Sequence, residues 1–170
     1  TMRVVKYKPL PISCEIDLPN THCNVGFEKP SEETPACIMC PRSSKFFVPE
    51  EDRLEQVCKN ISFLLAKLST IHIQGIAEPF YKDKIFDVLD WLEYDKHICS
   101  NPNLVVGTIT NGTLFGKSRR DRFVEKCSKT RICFSLDAAT TETYKKIRIL
   151  DAFDVVCKNL VEYGVSRDKK

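Results

Sequence analysis

Four times along this chain, a short apolar or alternating run is followed by a stretch whose apolar residues recur every three or four positions. The runs are residues 12–18, 70–74, 104–110 and 131–136. Side chains on a strand alternate with period two, and those on one face of a helix recur with period 3.6, so each run predicts a strand and each stretch a helix. The predicted helices span 50–68, 82–96, 118–129, 140–148 and 153–164. Strands joined through helices cannot pair as hairpins. They lie parallel through right-handed crossovers, which makes the chain an α/β fold with a helix-covered parallel sheet.

Local signals agree with these boundaries. Glu50, Glu51 and Asp52 sit where the first helix carries its positive end, with Pro49 at its entry. Asn101-Pro102 and Asn111-Gly112 are turn dipeptides on either side of the third strand. Thr140 is placed to cap the fourth helix and Gly164 to end the fifth. The expected inward faces include Leu54, Val57, Cys58 and Ile61 on the first helix, and Phe153, Val156, Cys157, Leu160 and Val161 on the last.

Length and composition narrow the class. The 170 residues suit one domain, and the 42% apolar and 29% charged content is that of an ordinary globular chain. A net charge of +3 is too small to indicate nucleic-acid binding, and the basic cluster at residues 119–122 reads as a solvated helix face. No run approaches a membrane-spanning length and the N-terminus has no apolar signal core, so neither a membrane segment nor secretion is expected. Nine cysteines is an odd number. Cys58, Cys127, Cys133 and Cys157 fall in apolar stretches, whereas Cys99 lies in a loop. A reducing, cytoplasmic setting with most thiols packed as small core residues accounts for this better than a disulfide framework.

Parallel α/β folds place their chemistry at the carboxyl ends of the strands. Here those ends are followed by Cys23, by Gly75 and Glu78, by Thr110-Asn111-Gly112, and by Ser135 and Asp137. Cys23 also opens a Pro-containing loop, residues 24–36, that closes on Cys37 and Cys40. Three thiolates leave one iron of a 4Fe–4S cluster without a protein ligand and open to substrate. A four-cysteine zinc site that adds Cys14 is the competing reading, with His22 a conceivable ligand in either scheme. Gly75 permits close approach of a ligand, Glu78 can accept from an ammonium, and Ser135 and Asp137 can hold ribose hydroxyls. Arg148 can grip a carboxylate in bidentate fashion, and Phe46-Phe47 can shield a metal from water. The rim thus describes a pocket for an amino acid joined to a nucleoside, docked on iron.

At these residues the chain resembles the radical S-adenosylmethionine (radical SAM) enzymes. The branch is the SPASM/Twitch-like one, whose motif reads Cys-Asn-x-x-Cys-x-Met-Cys-Pro. Cys23-Asn24 and Cys37-Ile38-Met39-Cys40-Pro41 match its two halves, and Gly75-Ile76-Ala77-Glu78-Pro79 resembles the family's Gly-x-Gly-Glu-Pro. Thr110-Asn111-Gly112-Thr113, Ser135-Leu136-Asp137 and Thr143-Tyr144…Ile147-Arg148 resemble its later motifs, in family order. The resemblance implies a partial (β/α) barrel, with residues 1–170 as the N-terminal portion of the core domain and 24–36 as a loop insertion.

It further implies a 4Fe–4S cluster on Cys23, Cys37 and Cys40, with S-adenosylmethionine held by Met39 at the adenine and Glu78 at the amino group. Ser135 or Asp137 would meet the ribose, with Gly75, Asn111 and Arg148 as further contacts. The implied reaction is reductive cleavage to a 5′-deoxyadenosyl radical that abstracts a substrate hydrogen. The electron would come from a donor such as flavodoxin or ferredoxin, and the substrate would be a peptide or small molecule. No catalytic side chain is assigned. The chain departs from the family in the thirteen residues between Cys23 and Cys37, in Ala77, and in having four strand–helix units where the family has more. A non-catalytic zinc or iron–sulfur module, or an inactive truncated relative, is the alternative.

Overall fold

The computed structural model describes residues 12–19, 21, 23–26, 31, 36–44, 48 and 51–167. His22, Phe46-Phe47 and Pro49-Glu50 lie outside the described residues, as does most of the loop between Cys23 and Cys37. Strands β1 (Ile12–Asp17), β2 (Leu68–Gln74), β3 (Val105–Thr110) and β4 (Lys129–Phe134) form one parallel sheet in the order β1-β2-β3-β4. Each strand pairs in parallel with the next one in sequence. The helices are α1 (Leu54–Ile61), α2 (Lys84–Trp91), α3 (Tyr94–Ile98), α4 (Lys117–Lys126), α5 (Thr141–Arg148) and α6 (Phe153–Arg167). The chain is therefore α/β with a four-stranded parallel sheet, as its alternation predicts. No helix among the described residues is long and apolar enough to cross a membrane.

One face of the sheet carries the core. Ile16, Ile71, Ile73 and Val106 are buried there with Leu54, Leu65, Phe86 and Leu89 from the helices. Phe80, Phe115 and Phe123 pack mutually at centroid distances of 4.6–6.3 Å. Each such burial contributes about 1.5–3 kcal/mol relative to exposure. The opposite face differs in kind. Glu15, His72, Gln74, Arg131 and Cys133 line a depression of about 250 Å³ on it, so alternate strand positions are polar. Gly107 has a specific role: a Cβ there would lie 2.5 Å from His72 Nδ1, so only glycine lets the imidazole rest against β3.

Several local expectations change. The helix predicted over 50–68 ends at Ile61 and gives way to a 3-10 turn, residues 62–66, before β2 begins at Leu68. Asn101 Nδ2 donates to the carbonyls of both Leu65 and Leu68, satisfying groups that helix continuation would have paired. The helix predicted over 82–96 divides at Glu93, which has φ +51°. The break falls between Leu92 and Tyr94, both fully buried.

Thr140 caps α5 as expected, accepting from Thr143 N at 3.3 Å. Gly164 does not end α6, which continues through Arg167. The buried face of α6 is Val156, Asn159 and Tyr163, leaving Leu160 and Val161 exposed. Two polar contacts set that rotation: Asn159 Nδ2 donates to Gly112 O at 2.8 Å, and Tyr163 Oη meets Thr130 Oγ1 at 2.8 Å. Cys58 and Cys127 are buried as predicted, but Cys133 is exposed on the polar sheet face. The basic cluster is not simply solvated either. Arg120 is buried and paired with Glu162 at 2.6 Å, and Arg122 stacks on the Phe86 ring at 3.8 Å.

Candidate functional site

A cavity of about 230 Å³ sits at the carboxyl ends of β2, β3 and β4. Cys23, Cys37 and Cys40 line it with Met39, Gly75, Glu78, Asn111, Ser135 and Arg148. Every residue expected at the site is there except Asp137, which pairs with Arg148 instead. Ile109 lines both this cavity and the depression on the polar sheet face, so the two adjoin. The cavity alone is below the roughly 300–1,000 Å³ of small-molecule pockets, and the adjoining depression enlarges the available space.

The split cysteine motif closes at its base. Gly26 has φ +71°, and a Cβ on it would lie 2.9 Å from the backbone nitrogen of Ala36. The thirteen residues between the first two cysteines therefore leave and re-enter at one point, with Val25 and Ala36 buried. Cys23 is held from one side. Asn111 Nδ2 donates to Asn24 Oδ1 at 2.9 Å, Asn24 Nδ2 to Thr113 Oγ1 at 3.0 Å, and Thr113 Oγ1 to Asn111 Oδ1 at 2.7 Å. This ring fastens Asn24 to the turn after β3. Cys37 is held from the other side, where Ile38 N donates to Ile147 O at 3.0 Å at the end of α5.

Both halves are thus anchored by contacts outside residues 27–35. Replacing these residues by Gly-Gly is expected to change stability by less than about 1 kcal/mol, because closure entropy varies only logarithmically with loop length. It is also expected to leave iron uptake intact; thermal unfolding and iron analysis measure both.

Glu78 is almost fully buried. Its Oε1 accepts from Phe80 N at 3.2 Å and Thr110 Oγ1 at 2.7 Å, and its Oε2 from Asn111 N at 2.7 Å. The carboxylate thus joins the loop after β2 to the end of β3, in addition to facing the cavity. Burial raises its pKa above the ordinary glutamate value, against the downward pull of its three donors. The sequence reading of Glu78 as an ammonium acceptor missed this cross-strand task. The Thr110 hydroxyl was the available signal.

Two arginines flank the thiols. Burial pushes the Cys23 thiol up to about 11, Val25 N donates to its sulfur at 3.5 Å, and Arg42 acts on it in the opposite, lowering sense. Arg148 Nη1 donates to Cys37 Sγ at 3.8 Å, while its Nη2 pairs with Asp137, whose φ is +55°. Arg148 thus already holds a carboxylate within the chain. Arg42, which sequence reading passed over, is 3% exposed and lines the cavity. Its signal was its place two residues after Cys40.

Among the described residues, no group of three or more His, Cys, Asp or Glu side chains is placed to hold a metal ion. Cys14 packs against the core instead of lining the cavity, which separates it from the other three thiols. Three thiols line the cavity, and among the described residues Arg42 Nε and Nη2 and Arg148 Nε are buried without a hydrogen-bond partner. Scans of protein-family models, of curated proteins and of solved structures each found no match.

Proposed function

We propose that this chain forms the N-terminal part of a radical SAM core of the SPASM/Twitch-like branch, its parallel sheet being part of a (β/α) barrel. One observation carries the reading. Cys23, Cys37 and Cys40 line a single cavity at the carboxyl ends of parallel strands, with Met39, Gly75, Glu78, Asn111 and Ser135 around it. When bound, a 4Fe–4S cluster and S-adenosylmethionine would supply one-electron reductive cleavage and a 5′-deoxyadenosyl radical that abstracts a substrate hydrogen.

The chain's own groups bind and orient. Cys23, Cys37 and Cys40 would hold the cluster. Gly75, at φ +120°, lines the cavity, the place its Cβ would take being filled by the backbone of Leu18, and Glu78 would face the amino group of the cofactor. Ser135 would meet the ribose, whereas Asp137 does not line the cavity and pairs with Arg148. A peptide or small-molecule substrate would lie over the polar sheet face beside Ile109, and an electron donor of the flavodoxin or ferredoxin class would reduce the cluster from outside. The setting proposed is cytoplasmic.

A non-catalytic iron–sulfur module is the second reading. It is favoured by the internal hydrogen bonds that already occupy both Glu78 oxygens and by the pairing of Arg148 with Asp137. Anaerobic reconstitution with iron and sulfide, followed by dithionite and S-adenosylmethionine, separates the two. The enzyme reading expects 5′-deoxyadenosine and methionine in equal amounts. A cluster that forms but yields neither product leaves the module.

A further inference from the structure

We propose that Arg42 is a fixed counter-cation for the cluster, and that its charge raises the cluster's reduction potential. The inference rests on the cluster reading above. Its starting point is an anomaly in the protein itself. The Arg42 guanidinium is buried at 3% exposure, and its Nη1 donates to Val25 O at 3.0 Å. Among the described residues, Nε and Nη2 have no hydrogen-bond partner. Arginine stays charged at any ordinary pH, and a buried charge without a partner is strongly unfavourable.

The surroundings indicate what completes it. Arg42 lies in the 3-10 turn of Pro41–Ser43 that Cys40 opens, so the second half of the cysteine motif sets its position. It lines the same cavity as the three thiols and acts electrostatically on Cys23. A cluster on three thiolates is an anion, and it is the partner this geometry accommodates. Reduction adds one electron from an external donor, moves no proton and makes the cluster one unit more negative. A nearby buried cation stabilises the reduced form more than the oxidised one, which moves the potential up.

The test is a dithionite titration of the reconstituted wild type, Arg42→Lys and Arg42→Met, followed by visible absorbance and paramagnetic resonance. Arg42→Met is expected to raise the oxidised-to-reduced ratio at a given potential about tenfold, a fall of about 59 mV for a one-electron couple. Arg42→Lys, which keeps the charge, is expected to shift it much less. Metal-free Arg42→Met is expected to unfold at or above the wild-type temperature, because an apolar side chain replaces an unpaired buried charge.

An unchanged potential in fully loaded Arg42→Met overturns the role of Arg42 and leaves the cluster reading standing. A wild type that takes up no cluster overturns both. If Arg42→Met does not load, the metal-free comparison decides: a large drop in its unfolding temperature assigns Arg42 to folding and overturns the proposal.

Discussion

Replacing Glu78 by alanine is expected to cost about 3 kcal/mol of folding stability, and to lower the unfolding temperature by roughly 6–12 °C. Removing the carboxylate leaves Thr110 Oγ1, Asn111 N and Phe80 N without their acceptor in a buried position. Truncation also opens space at a fully buried site beside the cavity. Glu78→Gln should cost less. Its carbonyl can still accept from Asn111 N, and its amide can donate to the Thr110 hydroxyl, but the amide then opposes Phe80 N.

The raised pKa of Glu78 adds a pH dependence with a definite sign. The folded chain holds this proton to higher pH than the unfolded chain does. Ionisation of Glu78 therefore disfavours folding, with no cost below the unfolded pKa of about 4.3. The cost grows as pH rises and is complete above the raised folded value. Glutamine cannot ionise, so the stability gap between wild type and Glu78→Gln should narrow as pH rises through that window. Chemical denaturation at a series of pH values measures it. A gap that widens would assign the carboxylate, not the acid, as the form the fold prefers.

The second large effect concerns the thiols. Serine at Cys23, Cys37 or Cys40 is expected to reduce bound iron and sulfide to background in each single variant. A cluster held by three protein ligands loses a large part of its binding with any one of them. Serine at Cys14 should leave the iron content unchanged, because Cys14 packs against the core outside the cavity. The comparison is internal to one chain. Loss of iron in the Cys14 variant, at unchanged fold, would return that thiol to the ligand set.

The alternation of strand and helix periods made the parallel sheet legible, whereas the strand order β1-β2-β3-β4 is a finding of the structure. The rim was legible for the same reason: polar and cysteine residues placed just after strand ends must gather at one edge of a parallel sheet. Features that depend on distant partners were not. The rotation of α6 follows from Asn159 reaching Gly112, and the break at Glu93 falls between buried Leu92 and Tyr94. Neither leaves a mark in local periodicity. Cys133 reads as a core residue in an apolar run, yet it stands on the polar face because its neighbours Ile132 and Phe134 take the core side. The long gap between Cys23 and Cys37 looked like the weak point of the site. The structure brings Gly26 against Ala36, ten positions on, so the base of that loop is closed.

Anaerobic preparation of the wild-type chain, followed by reconstitution and determination of iron, sulfide and zinc, tests the central claim most directly. A three-thiolate cluster site predicts about four iron and four sulfide per chain, with broad visible absorbance that dithionite bleaches. Roughly one zinc per chain, with no uptake of iron or sulfide, would contradict it.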